Sequence, residues 1–140
     1  LRASSGRPEW HERFARLRKL SFFHEFSTAE IWEVLRAASW SQYEADQEIV
    51  REGATDDRFY VIVGGDCRVE RHGQAIGRLE TGACFGETSF VRGAKRQASI
   101  VANTPATILL VSSSLLEQAS QACQLRFHRV FLKSLIGRLQ

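Results

Sequence analysis

Between Ser39 and Leu79 the chain breaks into short runs of aromatic and β-branched residues: Ser39 to Tyr43, Glu48 to Arg51, Arg58 to Val63, Cys67 to Arg71 and Gln74 to Leu79. Turn residues at Gly53, Gly64-Gly65, Gly73 and Gly82 divide them. Short strands punctuated at this interval are the signature of an antiparallel sandwich or barrel, and the rhythm is that of a jelly-roll. Two further strands, Ala98 to Ala102 and Thr107 to Val111, close the β region before Ser112-Ser113-Ser114 caps a return to helix.

Helical patterns flank the strands. Trp10, Phe14 and Leu17 recur at helical spacing, so a short amphipathic helix is expected around His11 to Lys19. Ser27-Thr28-Ala29-Glu30 is a capping box, in which the Ser hydroxyl and the Glu carboxylate satisfy orphan backbone donors. The helix after it runs through Ile31, Val34, Leu35 and Ala38. Leu125, Leu132, Leu135, Ile136 and Leu139 form an apolar face at helical spacing near the end. The expected architecture is mainly β: an antiparallel jelly-roll (a double-stranded β-helix) over residues 39–112, an N-terminal helical segment over 1–38, and hinge and lid helices over 113–140.

A length of 140 residues suits one domain with a single core. Hydrophobic residues at 44% and charged residues at 25% are ordinary for a soluble globular chain. No apolar run approaches the roughly 18 residues that a membrane span needs, and residues 1–8 lack a signal-peptide core. The net charge of +3 is modest and acidic residues are interleaved through the first half, so nucleic acid is not indicated as a partner. Cys67, Cys84 and Cys123 are odd in number and lack CxxC spacing, which suggests neither a disulfide framework nor a zinc site; a reducing, cytoplasmic setting fits best. The absence of methionine suggests a piece of a longer parent.

The chemistry concentrates in residues 85–100, Phe85-Gly86-Glu87-Thr88-Ser89-Phe90-Val91-Arg92-Gly93-Ala94-Lys95-Arg96-Gln97-Ala98-Ser99-Ile100. A glycine leads into a short, helix-compatible turn, and an arginine returns at the start of a strand. Backbone N–H groups at such a turn direct partial positive charge at a phosphate, and Gly86 permits close approach. Arg96 adds a guanidinium fork suited to phosphate oxygens. Glu87 would repel a phosphate, and becomes sensible if it accepts a hydrogen bond from a sugar hydroxyl beside one. Taken singly, each of these residues has the bland reading of a solvated surface group.

Taken together they resemble the phosphate-binding cassette of the cyclic-nucleotide-binding domain family, shared by the bacterial catabolite activator, the regulatory subunits of cAMP-dependent protein kinase and the cyclic-nucleotide-gated channels. That cassette reads Phe-Gly-Glu, two small or apolar residues, an apolar residue, a short loop, then Arg, a small or polar residue, Ala, Ser or Thr, and Val or Ile; residues 85–100 fit it without a gap. The likeness extends over about residues 20–140, with Glu52-Gly53 and Asp57-Arg58-Phe59-Tyr60-Val61-Ile62 similar to the second and third strands, and Gly65 then Arg68-Val69 similar to the turn and fourth strand. The resemblance implies that Glu87 binds the ribose 2′-hydroxyl and that Arg96 pairs with the cyclic phosphate. Gly86, Thr88, Ser89, Gln97 and Ala98 would line the cradle, with the Ser89 and Gln97 amides completing it. Val69, Leu79 and Phe85 would wall the base, and Asp57 would orient the arginine from behind. Thr88 replaces a usual apolar residue. Gln97 stands where many cAMP binders have Ala or Ser and many cGMP binders have Thr, which favours cAMP and leaves cGMP open.

A sensor of this kind is expected to bind a cyclic mononucleotide with no cofactor or metal, and to move its last helix against an effector in the parent or a partner chain. Phe90 would pack near Leu115 and Leu116 at the hinge. A homodimer seam on the last helix is the alternative use of that face. An enzyme is disfavoured: His11, His24, His72 and His128 are scattered, with no ligand or nucleophile–base spacing. A scaffold of the same fold that binds no nucleotide is the rival reading, and the presence of both Glu87 and Arg96 weighs against it.

Overall fold

The computed structural model describes residues 8–86 and 95–138. Helix α1 (Pro8–Arg18) and a 3-10 turn (Ser21–Phe23) lead to α2 (Thr28–Ala37). Among the described residues eight strands follow: β1 (Ala38–Tyr43), β2 (Glu48–Val50), β3 (Arg58–Gly64), β4 (Cys67–Arg71), β5 (Gln74–Leu79), β6 (Cys84–Phe85), β7 (Ser99–Ala102) and β8 (Ala106–Ser112). Two helices close the chain, α3 (Ser113–Leu116) and α4 (Gln121–Arg138).

The strands make two four-stranded antiparallel sheets, ordered β1-β8-β3-β6 and β2-β7-β4-β5. Consecutive strands thus cross repeatedly from one sheet to the other, as in a jelly-roll. Alternation along β3 divides its side chains between two cores. Phe59, Val61 and Val63 face the helices, together with Leu109 and Val111 of β8. Tyr60 and Ile62 face the second sheet, with Ile108, Leu110, Val50 and Ile100.

The capping box forms as the sequence dictates: Glu30 N–H donates to Ser27 Oγ at 3.1 Å and Ser27 N–H to Glu30 Oε1 at 2.8 Å. Ser112 caps α3 in the same way, its Oγ accepting from the Leu115 amide at 3.1 Å. Ala38, expected on the helix, has extended backbone and opens β1 instead.

The apolar face expected on the last helix is corrected. Leu125 and Leu132 are 65% and 57% exposed, whereas Cys123, Phe127, Val130 and Phe131 are buried. The leucine spacing is helical, but the series Cys123, Phe127, Val130 is equally so, and it carries the aromatic ring that fits among Phe22, Phe26 and Phe59. Ring burial removes more apolar area than leucine and fixes which side of the helix docks. The side chains of Leu135, Ile136 and Leu139 lie outside the described residues.

A polar clamp sets where α4 begins. Glu33 of α2 accepts from the Ser120 amide at 2.7 Å and its hydroxyl at 2.8 Å, and the same hydroxyl caps the helix by accepting from Cys123 N–H at 3.2 Å. The Ser120 donors hold the Glu33 carboxyl below its usual 4.5. A depressed folded value means stabilisation that is present in full above 4.5 and lost as pH falls through the lower folded value. Glu33→Gln should therefore cost about 1 kcal/mol at neutral pH and nothing in acid. Urea unfolding at the two pH values checks it; an equal cost at both would detach the effect from the charge.

Candidate functional site

The site is built where β3 begins and where the chain returns to the second sheet at Arg96. Gly53 N–H donates to the Arg96 carbonyl at 2.8 Å and Arg96 N–H to the Ala54 carbonyl at 2.7 Å, and Thr55 bridges Lys95. This short ladder fixes the backbone of Arg96. The side chain then turns inward and is 7% exposed.

Three groups hold the guanidinium. Its Nη2 donates to Asp56 Oδ1 and, at 2.7 Å, to the Arg58 carbonyl, while Nε reaches Asp56 Oδ2 at 3.3 Å. The face of Tyr60 lies 5.3 Å from its central carbon. Phe85 stacks on Tyr60, with ring centroids 4.8 Å apart and planes 4° from parallel. Among the described residues, Nη1 donates to nothing. A buried guanidinium that keeps one nitrogen unbonded is poised to take an acceptor.

Gly86 sits against this cation. Its φ is +94°, and a Cβ there would lie 2.6 Å from Arg96 Nη1 and 2.8 Å from the Arg58 carbonyl. Both the backbone angle and the space require glycine. Any side chain would displace the arginine from the floor of the site.

The expected orienting role of Asp57 is corrected: Asp56 binds Arg96. Both residues lie in the irregular stretch just before β3, where Asp56 turns to Arg96 and Asp57 to the start of α3. Asp57 Oδ2 accepts from Ser113 Oγ at 3.0 Å and its carbonyl from Ser113 N–H at 3.1 Å. The two neighbouring carboxylates thus face different partners, one the buried guanidinium of Arg96 and one the first residue of α3.

Phe85 is buried in the inter-sheet core, and Val69 and Leu79 pack against the same cluster from β4 and β5. Gln97 is exposed and Ala98 half-buried beside Arg96. Glu87, Thr88, Ser89 and Phe90, with the cassette turn itself, lie outside the described residues. Tyr60 and Asp56 are the additions that sequence reading missed: the alternation of β3 puts Tyr60 on the inter-sheet face with Ile62, but nothing local distinguishes Asp56 from Asp57. Burial raises the Tyr60 phenol above its usual range, reinforced by the Asp56 carboxylate, so the ring stays neutral beneath the guanidinium. Among the described residues no group of three or more His, Cys, Asp or Glu is placed to hold a metal, and no helix is long and apolar enough to cross a membrane.

Comparison with known proteins gives a consistent picture. The family described as the cyclic nucleotide-binding domain matches residues 40–123. The cGMP-dependent protein kinase egl-4 of Caenorhabditis briggsae is 24% identical over 112 residues, covering 80% of the chain and 15% of the kinase. The cAMP-dependent protein kinase regulatory subunit of Mucor circinelloides f. lusitanicus is 38% identical over 65 residues, 44% of the chain and 15% of the subunit. The chain therefore spans a small part of these relatives. Among solved structures, a cyclic nucleotide-binding domain from Methylobacillus flagellatus superposes with a TM-score of 0.80 at 24% identity, covering 94% of this chain and 78% of that one.

Proposed function

The chain belongs to the cyclic nucleotide-binding domain family, and from that premise we propose that it is a sensor that binds cAMP in preference to cGMP and passes the binding event through its C-terminal helices to an effector. One observation carries the reading: a buried arginine, held by Asp56 and a backbone carbonyl, with one nitrogen, beside an obligatory glycine, that bonds none of the described residues. The cyclic phosphate takes Arg96, Glu87 takes the ribose 2′-hydroxyl, and the amides of Ser89 and Gln97 complete the cradle. The base rests toward Val69, Leu79 and Phe85. Preference for cAMP rests on Gln97, which lacks the threonine hydroxyl common in cGMP binders.

Transmission follows from the paired carboxylates. A phosphate drawn to Arg96 Nη1 pulls on the guanidinium that Asp56 holds through Nη2 and Nε, and any shift of Asp56 is felt one peptide later by Asp57 and its two hydrogen bonds to Ser113. The hinge helix starts at that residue. Coupling of this kind is typically about 1–3 kcal/mol and acts equally in both directions.

Two measurements examine these roles. A hydrogen bond to a charged group contributes about 1.5–3 kcal/mol, so 2′-deoxy-cAMP should bind more than tenfold more weakly than cAMP; equal affinity removes Glu87 from the site. Amide hydrogen exchange should show altered protection in residues 113–133 as well as beside Arg96 when cAMP is added. A change confined to the neighbourhood of Arg96 makes this a binding site without transmission.

A further inference from the structure

The inner face of the helix-covered sheet changes character at one end. On β8 the inward residues Ala106, Ile108 and Leu110 are followed by Ser112, and on β3 the series Ile62, Tyr60 ends at Arg58, the cross-strand partner of Ser112. On β1 the side chains of Ser39, Ser41 and Tyr43 turn to this same side. A sandwich closed at this end would place apolar side chains at such positions. Here they surround a cavity of about 440 Å³, with Leu110 on its floor and Leu115 of α3 at its edge. That volume is ordinary for a small-molecule site.

The cavity is also positively poised. Among the described residues no carboxylate forms an ion pair with the Arg58 guanidinium: Asp56 pairs with Arg96 and accepts only the Arg58 backbone N–H, and Asp57, which also borders the cavity, accepts from Ser113. The Arg58 charge reaches both the Tyr43 and Tyr60 phenols, where it opposes the upward push of burial. Arg58 is exposed, and it stands at a concave pocket beside the Tyr43 phenol and the hydroxyls of Ser39, Ser41 and Ser112, the last of which also caps α3. A guanidinium fork among neutral hydroxyl donors matches phosphate oxygens.

We propose that this cavity is a second ligand site, separate from the one at Arg96, that takes a small organic phosphate with its phosphoryl group on Arg58, Tyr43 and the serines and its carbon body along Leu110 and Leu115. Its occupant would touch the hinge helix directly through Leu115.

Amide resonances titrated with glycerol 3-phosphate, with and without cAMP, test the proposal. Saturable shifts are expected at Ser39, Ser41, Arg58 and Ser112, weakened at least about tenfold by Arg58→Gln and retained in Arg96→Ala. Ser41→Leu, which fills the cavity and leaves the charge in place, should also remove them, so a folding defect in one variant does not decide the matter. Glycerol alone should give no saturable response. Shifts centred on Gly86 and Gln97 and lost in Arg96→Ala would put the anion at the first site and overturn the proposal. So would an equal response to glycerol, or no saturation at millimolar phosphate ester. Binding of cAMP is read independently, so failure of either site leaves the other standing.

Discussion

Arg96→Ala is expected to weaken cyclic-nucleotide binding by about 2–5 kcal/mol, a loss of well over tenfold. Two effects add. The phosphate loses its guanidinium, and Asp56, whose side chain is 26% exposed, is left beside the site as an unpaired negative charge. Gly86→Ala should act in the same direction by a different route, since its Cβ would overlap Arg96 Nη1 and the Arg58 carbonyl. Asp56→Asn keeps the shape and removes the charge, so a smaller loss is expected there. Isothermal titration of the three variants gives the ranking, and an Arg96→Ala protein with wild-type affinity would take the arginine out of the site.

The largest expected effect on stability comes from Phe127→Ala, at about 3–5 kcal/mol. Phe127 is fully buried, and its ring centroid lies 5.5 Å from those of Phe22 and Phe59 and 6.3 Å from that of Phe131. It joins the turn before α2, the start of β3 and the last helix in one cluster. A loss of that size is a large fraction of the stability of a domain this small. Leu125→Ala and Leu132→Ala, on the exposed side of the same helix, should change the monomer's unfolding free energy by no more than about 0.5 kcal/mol. Chemical denaturation of the three proteins checks the contrast; comparable costs would mean that the helix docks by its leucine face.

The strand rhythm was legible because sheet-forming runs and their turns are local: β4 and β5 have the bounds that the sequence predicts, and β3 differs from its expected span by one residue. Both Ser caps were legible for the same reason, since each depends on three or four neighbouring residues. The face of α4 was not. Two apolar series with helical spacing compete there, and the choice between them is made by Phe22 and Phe59, more than 60 residues away in sequence. Asp56 and Asp57 pose the same difficulty at the site. Adjacent carboxylates look interchangeable in a sequence, and only the placement of Arg96 beside one and Ser113 beside the other gives each its partner. Tyr60 reads as an ordinary strand aromatic until Arg96 is seen above its ring.

The central claim is that Arg96 and its surroundings receive a cyclic phosphate, and calorimetric titration of the wild-type chain with cAMP, cGMP and linear 5′-AMP tests it most directly. The account predicts saturable binding of cAMP, weaker binding of cGMP, and little or none of 5′-AMP, whose dianionic, freely rotating phosphate does not match one guanidinium and a tight backbone cradle. Absence of heat and of thermal stabilisation with both cyclic nucleotides at millimolar concentration would contradict it and leave a scaffold with the family's fold.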